Sequence, residues 1–301
     1  MLWLIVALSG YFLLALVNII DKHLLKSRIP DPKVYAFYVG FLGIVVLAAA
    51  PFGLLEIPSL SVFLLAMLAG ASHVLAIWFL FSGLKNFEAS RIVPAVGALL
   101  PIFTFTFTFL SGEAERMLGL REIGAFLLLV AGTILITYQG KNLLSKNSLK
   151  TAAVSAFFFA AFFIAIKFVY LSHPFISGII WSRVGAFLAA LFFLFSKDVR
   201  NDILGGAKIA KEKTWLILIP NQLLGSAALV LQNWAIALAP LAYLGIINAL
   251  EGTKYFFLLF FAAIISVKFP QILREEVSRK VLLQKISAIL LMGAGLALLS
   301  L

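Results

Sequence analysis

Long apolar stretches alternate with short polar connections along the whole chain. Ten apolar stretches can be distinguished, each near the ~20 residues that a helix needs to cross ~30 Å of hydrocarbon. Helices are predicted because alternating strand patterns of about ten residues are absent from the sequence and the backbone in lipid must satisfy its own hydrogen bonds. The stretches cover residues 2–20, 33–52, 59–84, 89–111, 120–139, 150–171, 175–196, 214–238, 241–266 and 281–300.

Composition places the chain among integral membrane proteins. It is 63% hydrophobic and 12% charged, with a mean hydropathy of +1.09, and its charged fraction is about half that of a soluble domain. The absence of cysteine excludes a disulfide, a thiol nucleophile and a thiolate metal site. The three histidines, His23, His73 and His173, are scattered. No metal or cofactor is therefore expected.

The net charge of +11 is distributed unevenly. Nineteen lysines and arginines lie in or beside the odd-numbered connections, against two in the even-numbered ones. This placement favours a membrane topology over a nucleic-acid surface, and by the positive-inside rule it puts the odd connections in the cytoplasm and both termini outside. The first stretch has no basic segment before it and no cleavage pattern after it, so a retained helix is predicted. The expected location is the cell (inner) membrane.

The sequence also contains an internal repeat. The segment from Ser111 to Thr137 has a second version from Leu273 to Ser300. Glu113 aligns with Glu276 and Gly132 with Gly295, both at an offset of 163. Because each copy holds an odd number of spans, the copies are predicted to be inverted relative to one another. Inverted repeats are an architecture for alternating access.

The predicted fold is therefore an all-α membrane protein with ten transmembrane helices in two inverted five-helix repeats. The first repeat is assigned to residues 1–140, a linker to 141–149 and the second repeat to 150–301. The connections are too short to hold an extramembrane domain.

Helix-weakening residues occupy matching places in spans four and nine. Pro94 and Pro101 correspond to Gly245 and Gly252 at one offset of 151. Proline removes a backbone donor, and glycine lowers helix propensity by roughly 1 kcal/mol. Both spans are predicted to loosen at matching depths beside a binding site. Alternatively, these residues are simply common in membrane helices.

One part of each repeat resembles a known family. The end of span four with span five, ALLPIFTFTFTFLSGEAERMLGLREIGAFLLLVAGTIL, and its counterparts NALEGTKYFFLLFFAAIIS and EEVSRKVLLQKISAILLMGAGLALL are similar to the drug/metabolite transporter superfamily, in its ten-helix EamA-type branch. The likeness extends over essentially the whole chain. It implies two inverted five-helix repeats around a central cavity, with export or exchange of small metabolites. Characterised members generally keep both termini in the cytoplasm, opposite to the charge-based prediction for this chain.

Four ionisable residues stand out inside predicted spans, away from their ends: Lys167, Arg183, Glu251 and Lys254. Such residues are costly in lipid and usually face a cavity or a partner. Glu251 is predicted to face the cavity, as a proton-exchanging carboxylate or as the counter-charge of a cationic group, with a buried structural ion pair as the alternative. Lys167 is near enough to the interface to extend its ammonium there. Three cations to one glutamate favour a carboxylate or phosphate group on the substrate.

Other polar residues are candidates for the same cavity. Asn248 lies one turn before Glu251, and Asn18 in span one lines a cavity or joins helices. Thr104 binds either a ligand or the carbonyl of the preceding turn. Asp21 and its two neighbours are expected to form the solvated end of span one.

These observations lead to the expectation of a secondary transporter, ion-coupled or exchanging, for small metabolites such as amino acids or organic acids. The alternative is a flippase for a lipid-linked or amphipathic molecule. Enzymatic function is not expected, since the nearest serine motif, GASH at 70–73, lacks the closing glycine of a nucleophile turn. The expected partners are a small-molecule substrate, a coupling proton and the lipid bilayer, with no nucleic acid and with a homodimer left open.

Overall fold

The computed structural model describes residues 2–27, 29, 31–87, 89–112, 119–137, 146–204, 212–254, 257, 261 and 279–300. These residues form helices and short connections, with no strand among them, so the all-α prediction is confirmed. The α-helices are α1 Leu2–Ser27, α2 Pro32–Leu42, α3 Leu60–Asn86, α4 Ala89–Leu110, α5 Leu120–Thr137, α6 Lys146–Ser172, α7 Phe175–Leu191, α8 Lys197–Leu204, α9 Glu212–Leu238, α10 Leu244–Ala249 and α11 Arg279–Ser300. Segments of 3-10 helix follow α2 at Gly43–Phe52 and α7 at Phe192–Phe195, and one precedes α10 at Leu241–Tyr243.

Six segments are long and apolar enough to cross a membrane, which indicates a multi-pass membrane protein. They are Leu2–Asp21, Pro32–Phe52, Leu60–Asn86, Lys146–Ser172, Phe175–Phe195 and Thr214–Leu238. Two shorter apolar segments lie in α4 and α11, at Ala95–Leu110 and Ile286–Leu298. The prediction of ten spans stays a prediction, since most of the ninth span after Lys254 lies outside the described residues.

The helix boundaries follow local sequence signals. Asp31 caps α2, because its side-chain oxygen accepts a 2.7 Å hydrogen bond from the Lys33 amide, and Pro32 occupies the first turn, where no backbone donor is needed. The Ser59 side-chain oxygen caps α3, since it accepts a hydrogen bond from the Val62 amide. Helix α6 begins at Lys146, inside the predicted linker 141–149, whose first five residues lie outside the described ranges.

The most extensive helix pairs join the N-terminal half of the chain to the C-terminal half. Helix α3 packs on α6 and α7, α1 packs on α9, α4 packs on α6 and α10, and α5 packs on α11. The main buried cluster draws its residues from both halves. The interior of the protein is therefore the interface between the halves.

The crossing of α5 and α11 repeats the same contact in both directions. A Cβ atom on Gly132 would lie 3.0 Å from the carbonyl oxygen of Ala288. A Cβ atom on Gly295 would lie 3.1 Å from the carbonyl oxygen of Ala125. The residues of the crossing correspond at the offset of 163: Ala125, Leu129 and Gly132 in α5 with Ala288, Met292 and Gly295 in α11. Residues related by one sequence offset therefore make the same contact in both directions, while the inverted repeat itself stays a prediction.

The crossing of α3 and α7 also depends on glycine. A Cβ atom on Gly70 would overlap the Ser182 carbonyl oxygen and the Ala186 amide nitrogen, and it would lie 2.6 Å from the Gly185 carbonyl carbon. Gly185 in turn lies against the backbone of Met67. Neither backbone can rotate out of the way as a side chain could, so the helices approach closely only because both residues are glycine.

Replacement of Gly70 by alanine is expected to separate α3 from α7 and to lower the free energy of unfolding by about 2 kcal/mol or more, because the methyl group would displace backbone atoms. The measurement is thermal or denaturant unfolding of the purified protein in detergent. Gly293→Ala in α11 is the matched control, since a Cβ atom on Gly293 would have no neighbouring atom within 4 Å. Equal losses in the two variants would contradict the close crossing.

Candidate functional site

Polar and charged side chains in the interior gather in three groups around α9 and span nine. We name the Asp21 cluster (Asp21, Tyr35 and Asn221), the span-nine pair (Glu251 and Lys254) and the Arg183 cluster (Arg183, His73, Tyr170 and Asn233). Helix α9 contributes Asn221 to the first and Asn233 to the third. These two residues are 12 positions apart, or about 18 Å along the helix.

Span nine loses regular helix where its charged residues begin. Helix α10 ends at Ala249, and Leu250 and Glu251 form a turn before the chain becomes helical again at Gly252. Bonds of the i to i−3 type tighten this region, including 2.9 Å from the Thr253 amide to the Leu250 carbonyl. The interruption lies between the predicted weak positions Gly245 and Gly252.

Helix α4 is different, since it continues as α-helix from Ala89 to Leu110 through both Pro94 and Pro101. Pro101 is buried within it. Gly252 has a packing reason for its identity, because a Cβ atom there would overlap the Thr133 hydroxyl of α5. Gly245 lies at ordinary van der Waals distance from Phe105 and Phe126. The predicted loosening of both spans at matching depths stays a prediction.

The span-nine pair is an ion pair within one segment. The Lys254 ammonium lies 2.5 Å from a carboxylate oxygen of Glu251, and the two side chains are 7% and 15% exposed. A structural ion pair and a proton-coupling ion pair would both have this geometry. The two interpretations differ in whether other charged groups lie near Lys254.

Asp21 is the second carboxylate of this region, and its predicted position at a solvated helix end is wrong. It is half-buried, accepts a hydrogen bond from the Tyr35 hydroxyl, and accepts a second at 2.6 Å from the Asn221 amide. The cause is that α1 extends to Ser27, well beyond the predicted end of span one, so Asp21 lies inside a helix that packs on α9. Its carboxylate is also within electrostatic reach of Lys254.

Tyr11 connects α1 to span nine. Its buried hydroxyl donates a 2.7 Å hydrogen bond to the Ile247 carbonyl and lies within electrostatic reach of Glu251. Asn18 is two turns further along the same face of α1 and three residues before Asp21. The half-buried Asn18 side chain has no hydrogen-bond partner among the described residues. Helix α1 thus presents polar groups along the path from Glu251 to Asp21.

Asn248 and Thr104 join α10 to α4. The Asn248 amide nitrogen donates a 2.8 Å hydrogen bond to the Thr104 hydroxyl, which itself donates at 2.9 Å to the Leu100 carbonyl. Thr104 therefore bonds the preceding turn and also a residue of the opposite half. The side-chain amide oxygen (Oδ1) of Asn248 is buried without a hydrogen-bond partner in the described part of the chain.

Lys167 extends its side chain to the end of span eight, and the predicted position of its ammonium at the interface stays a prediction. Its ammonium lies at the C-terminal end of α9, at 2.5 Å from the Ala239 carbonyl and 3.0 Å from that of Ile236. The last carbonyls of a helix lack partners within the helix and carry partial negative charge, so a buried ammonium is stabilised there. These contacts give Lys167 a capping role, and its predicted part in binding stays a prediction.

Arg183 has a different environment. It is 9% exposed, and no hydrogen bond or ion pair to its guanidinium occurs among the residues that the structure describes. Its electrostatic neighbours are Tyr170 of α6 and His73 of α3. The Tyr170 hydroxyl is within 2.9 Å of the Asn233 amide oxygen.

A surface cavity of about 230 Å³ lies away from all three groups. It opens at the odd-connection end, and charged residues from the start of α2, the end of α3 and the start of α8 line it, namely Asp31, Lys33, Lys85 and Asp198. None of the predicted site residues borders it.

Comparisons with known proteins give the fold and no more. No family model matches the chain, and no curated protein matches it either. A protein of known crystal structure superimposes with a TM-score of 0.66 at 18% sequence identity, over 99% of this chain and 94% of the other. The whole chain therefore shares its fold with a solved structure, while at this identity the likeness says nothing about a substrate.

Sequence reasoning identified Glu251, Lys254, Asn248 and Arg183 as interior polar residues but missed Tyr11 and Tyr35. Tyrosine in a membrane span gives a weak signal, because it is common at interfaces and in cores alike. The position of Tyr35 was the one signal of an interior role, because Tyr35 lies one turn inside α2 rather than at its end.

Tyr35→Phe is expected to lower the free energy of unfolding by roughly 1.5–3 kcal/mol, because a half-buried carboxylate would lose a charge-assisted hydrogen bond. Tyr38→Phe, one turn further along α2, is the control and should cost less than about 1 kcal/mol, since the Tyr38 hydroxyl has no such bond within the described ranges. Thermal unfolding in detergent measures both. An equal, small effect in the two variants would count against the Asp21 cluster.

Proposed function

We propose that the chain is a secondary transporter that moves small metabolites, such as amino acids or organic acids, by alternating access between two inverted five-helix repeats. The observation that carries the proposal is the α5–α11 crossing, in which residues related by one sequence offset make the same contact in both directions. A local two-fold axis between repeat-related helices is what an inverted duplication requires. The resemblance to EamA-type members of the drug/metabolite transporter superfamily agrees with it.

The position of the polar groups supports a transport path between the halves. The Asp21 cluster and the Arg183 cluster each draw residues from both halves, at two depths along α9. A scaffold or sensor would have little use for ionisable side chains that oppose insertion into the membrane. In the orientation set by the positive-inside rule, the Asp21 cluster lies toward the cytoplasm, and both termini lie outside the inner membrane.

We assign coupling to Glu251 and Asp21, two carboxylates that interact electrostatically with Lys254. In this proposal Glu251 exchanges the coupling proton, and Asp21, in the other repeat, is a second carboxylate that interacts electrostatically with Lys254. Loss of one partner of a buried ion pair costs about 3–5 kcal/mol, which biases a two-state equilibrium by roughly 10²- to 10⁴-fold. Proton exchange at Glu251 would supply such a bias between the two states of access.

Alternating access is testable directly because the chain has no cysteine, so one introduced cysteine is a unique label site. In sealed vesicles of known orientation, Asn18→Cys is expected to react with a membrane-impermeant maleimide added from either side. Ser111→Cys, at the exposed end of α4, should react from one side, and Ala160→Cys, which is fully buried, from neither. Labelling of Asn18→Cys from a single side under every condition would contradict alternating access.

The coupling role predicts a specific defect in Glu251→Gln. After a thermal-stability screen of amino and organic acids has identified a substrate, proteoliposomes carrying this variant should lose accumulation driven by a pH gradient while retaining exchange at equal pH. Glu122→Gln is the matched control, because Glu122 lies at the start of α5 beside Arg121 and Tyr243. Undiminished pH-driven accumulation in Glu251→Gln would exclude the coupling role.

A further inference from the structure

Arg183 differs from the other buried cations in having no partner within the described ranges. Lys254 is paired with Glu251, and Lys167 is bound by the carbonyls at the end of α9. The Arg183 guanidinium has neither kind of contact among the described residues, and it is 9% exposed. A buried charge is normally paired, since an unpaired charge away from water is costly. Among the described residues none supplies that partner to Arg183, and an anion that reaches the guanidinium from outside the chain would supply it.

From this arrangement we infer that the Arg183 cluster binds an anionic oxygen group, a carboxylate or a phosphate, of the transported molecule. The inference rests on the proposed function and names the substrate class for it. A guanidinium presents five donors in a planar fork that matches two oxygens of such a group. The match is geometric as well as electrostatic, so it selects these anions over a halide.

Two neighbours add donors to the same place. His73 is buried in α3, and its Nδ1 atom has no hydrogen-bond partner in the described part of the chain. In the tautomer that carries hydrogen on Nδ1, this atom is a donor. The Tyr170 hydroxyl, which now pairs with Asn233, is the third group within electrostatic reach of Arg183. An anion would thus meet donors from α3, α6 and α7.

The backbone of span two approaches the Arg183 side chain closely. At Gly43 the span changes from α-helix to 3-10 helix. A Cβ atom on Gly43 would lie 3.2 Å from Cδ and 3.7 Å from Nη1 of Arg183. A larger side chain at this position would therefore crowd the Arg183 side chain and change where its guanidinium lies.

Aromatic rings border the cluster on the side of His73. The Phe162 ring lies 4.9 Å from the imidazole, and the Phe159 ring lies 6.3 Å from it. These apolar surfaces exclude water from one side, and a charged hydrogen bond is stronger where water is excluded. The remainder of the substrate would extend along α9 toward Gln232 and the span-nine pair, which separates the anion subsite from the coupling carboxylates.

The test uses the purified full-length protein in detergent and measures its unfolding temperature in sodium phosphate and in sodium acetate, each against sodium chloride at equal ionic strength. Wild type is expected to show a saturable rise in the unfolding temperature with at least one of the two oxyanions, and the responding arm identifies phosphate or carboxylate as the group. Arg183→Gln should abolish the rise. Lys150→Gln, which removes the same charge from an exposed position in α6, should leave it intact.

Two further variants keep the inference falsifiable if Arg183→Gln fails to fold. Arg183→Lys retains the charge without the fork and should weaken apparent anion affinity by about tenfold, and Gly43→Val should weaken it although Arg183 itself is retained. A response that is equal in wild type and these variants, or no oxyanion response in wild type, overturns the inference. Either result leaves the labelling of Asn18→Cys and the Glu251-dependent accumulation unaffected, so failure of the subsite and failure of the transporter are distinguishable.

Discussion

Neutralisation of charge inside an apolar medium is the constraint on which this structure depends. Lipid offers no hydrogen bonds, so an ionisable group within a span needs a partner in the protein or in a bound ligand. Lys167 meets this requirement with the carbonyls at the end of α9, and Lys254 with Glu251. Asp21 meets it with Tyr35 and Asn221. The packing of the helices brings Asn221 to Asp21 across the interface between the two halves, whereas the partners of Lys167 and Lys254 lie within the C-terminal half.

The contacts between the halves are of two kinds. At the α5–α11 crossing and at the α3–α7 crossing, glycines bring backbones into direct contact, and such packing allows little adjustment. Around α1, α9 and span nine the contacts are polar, short and made by side chains that can exchange partners. A protein that alternates between two states needs both kinds, since rigid elements transmit a change that exchangeable contacts begin.

Much of the fold was predictable because membrane helices obey a strong composition rule. The bounds of α3 and α11 lie near those of the predicted stretches, since their ends coincide with polar residues. Helix α1 is longer than predicted because Asp21 looks like a helix end when only hydropathy is considered. The prediction for Asp21 failed for the same reason, since hydropathy ranks a carboxylate as solvated whether or not it has buried donors.

Composition and the spacing of residues along one helix were enough to predict a helical chain, embedded in a membrane and rich in charges that need partners. Which partner each charge has depends on the packing of the helices against one another. The Asp21–Asn221 hydrogen bond joins residues 200 positions apart, and the surroundings of Arg183 are set by helices from both halves of the chain. Such pairings depend on how the helices pack, and helix packing cannot be predicted from hydropathy along the chain.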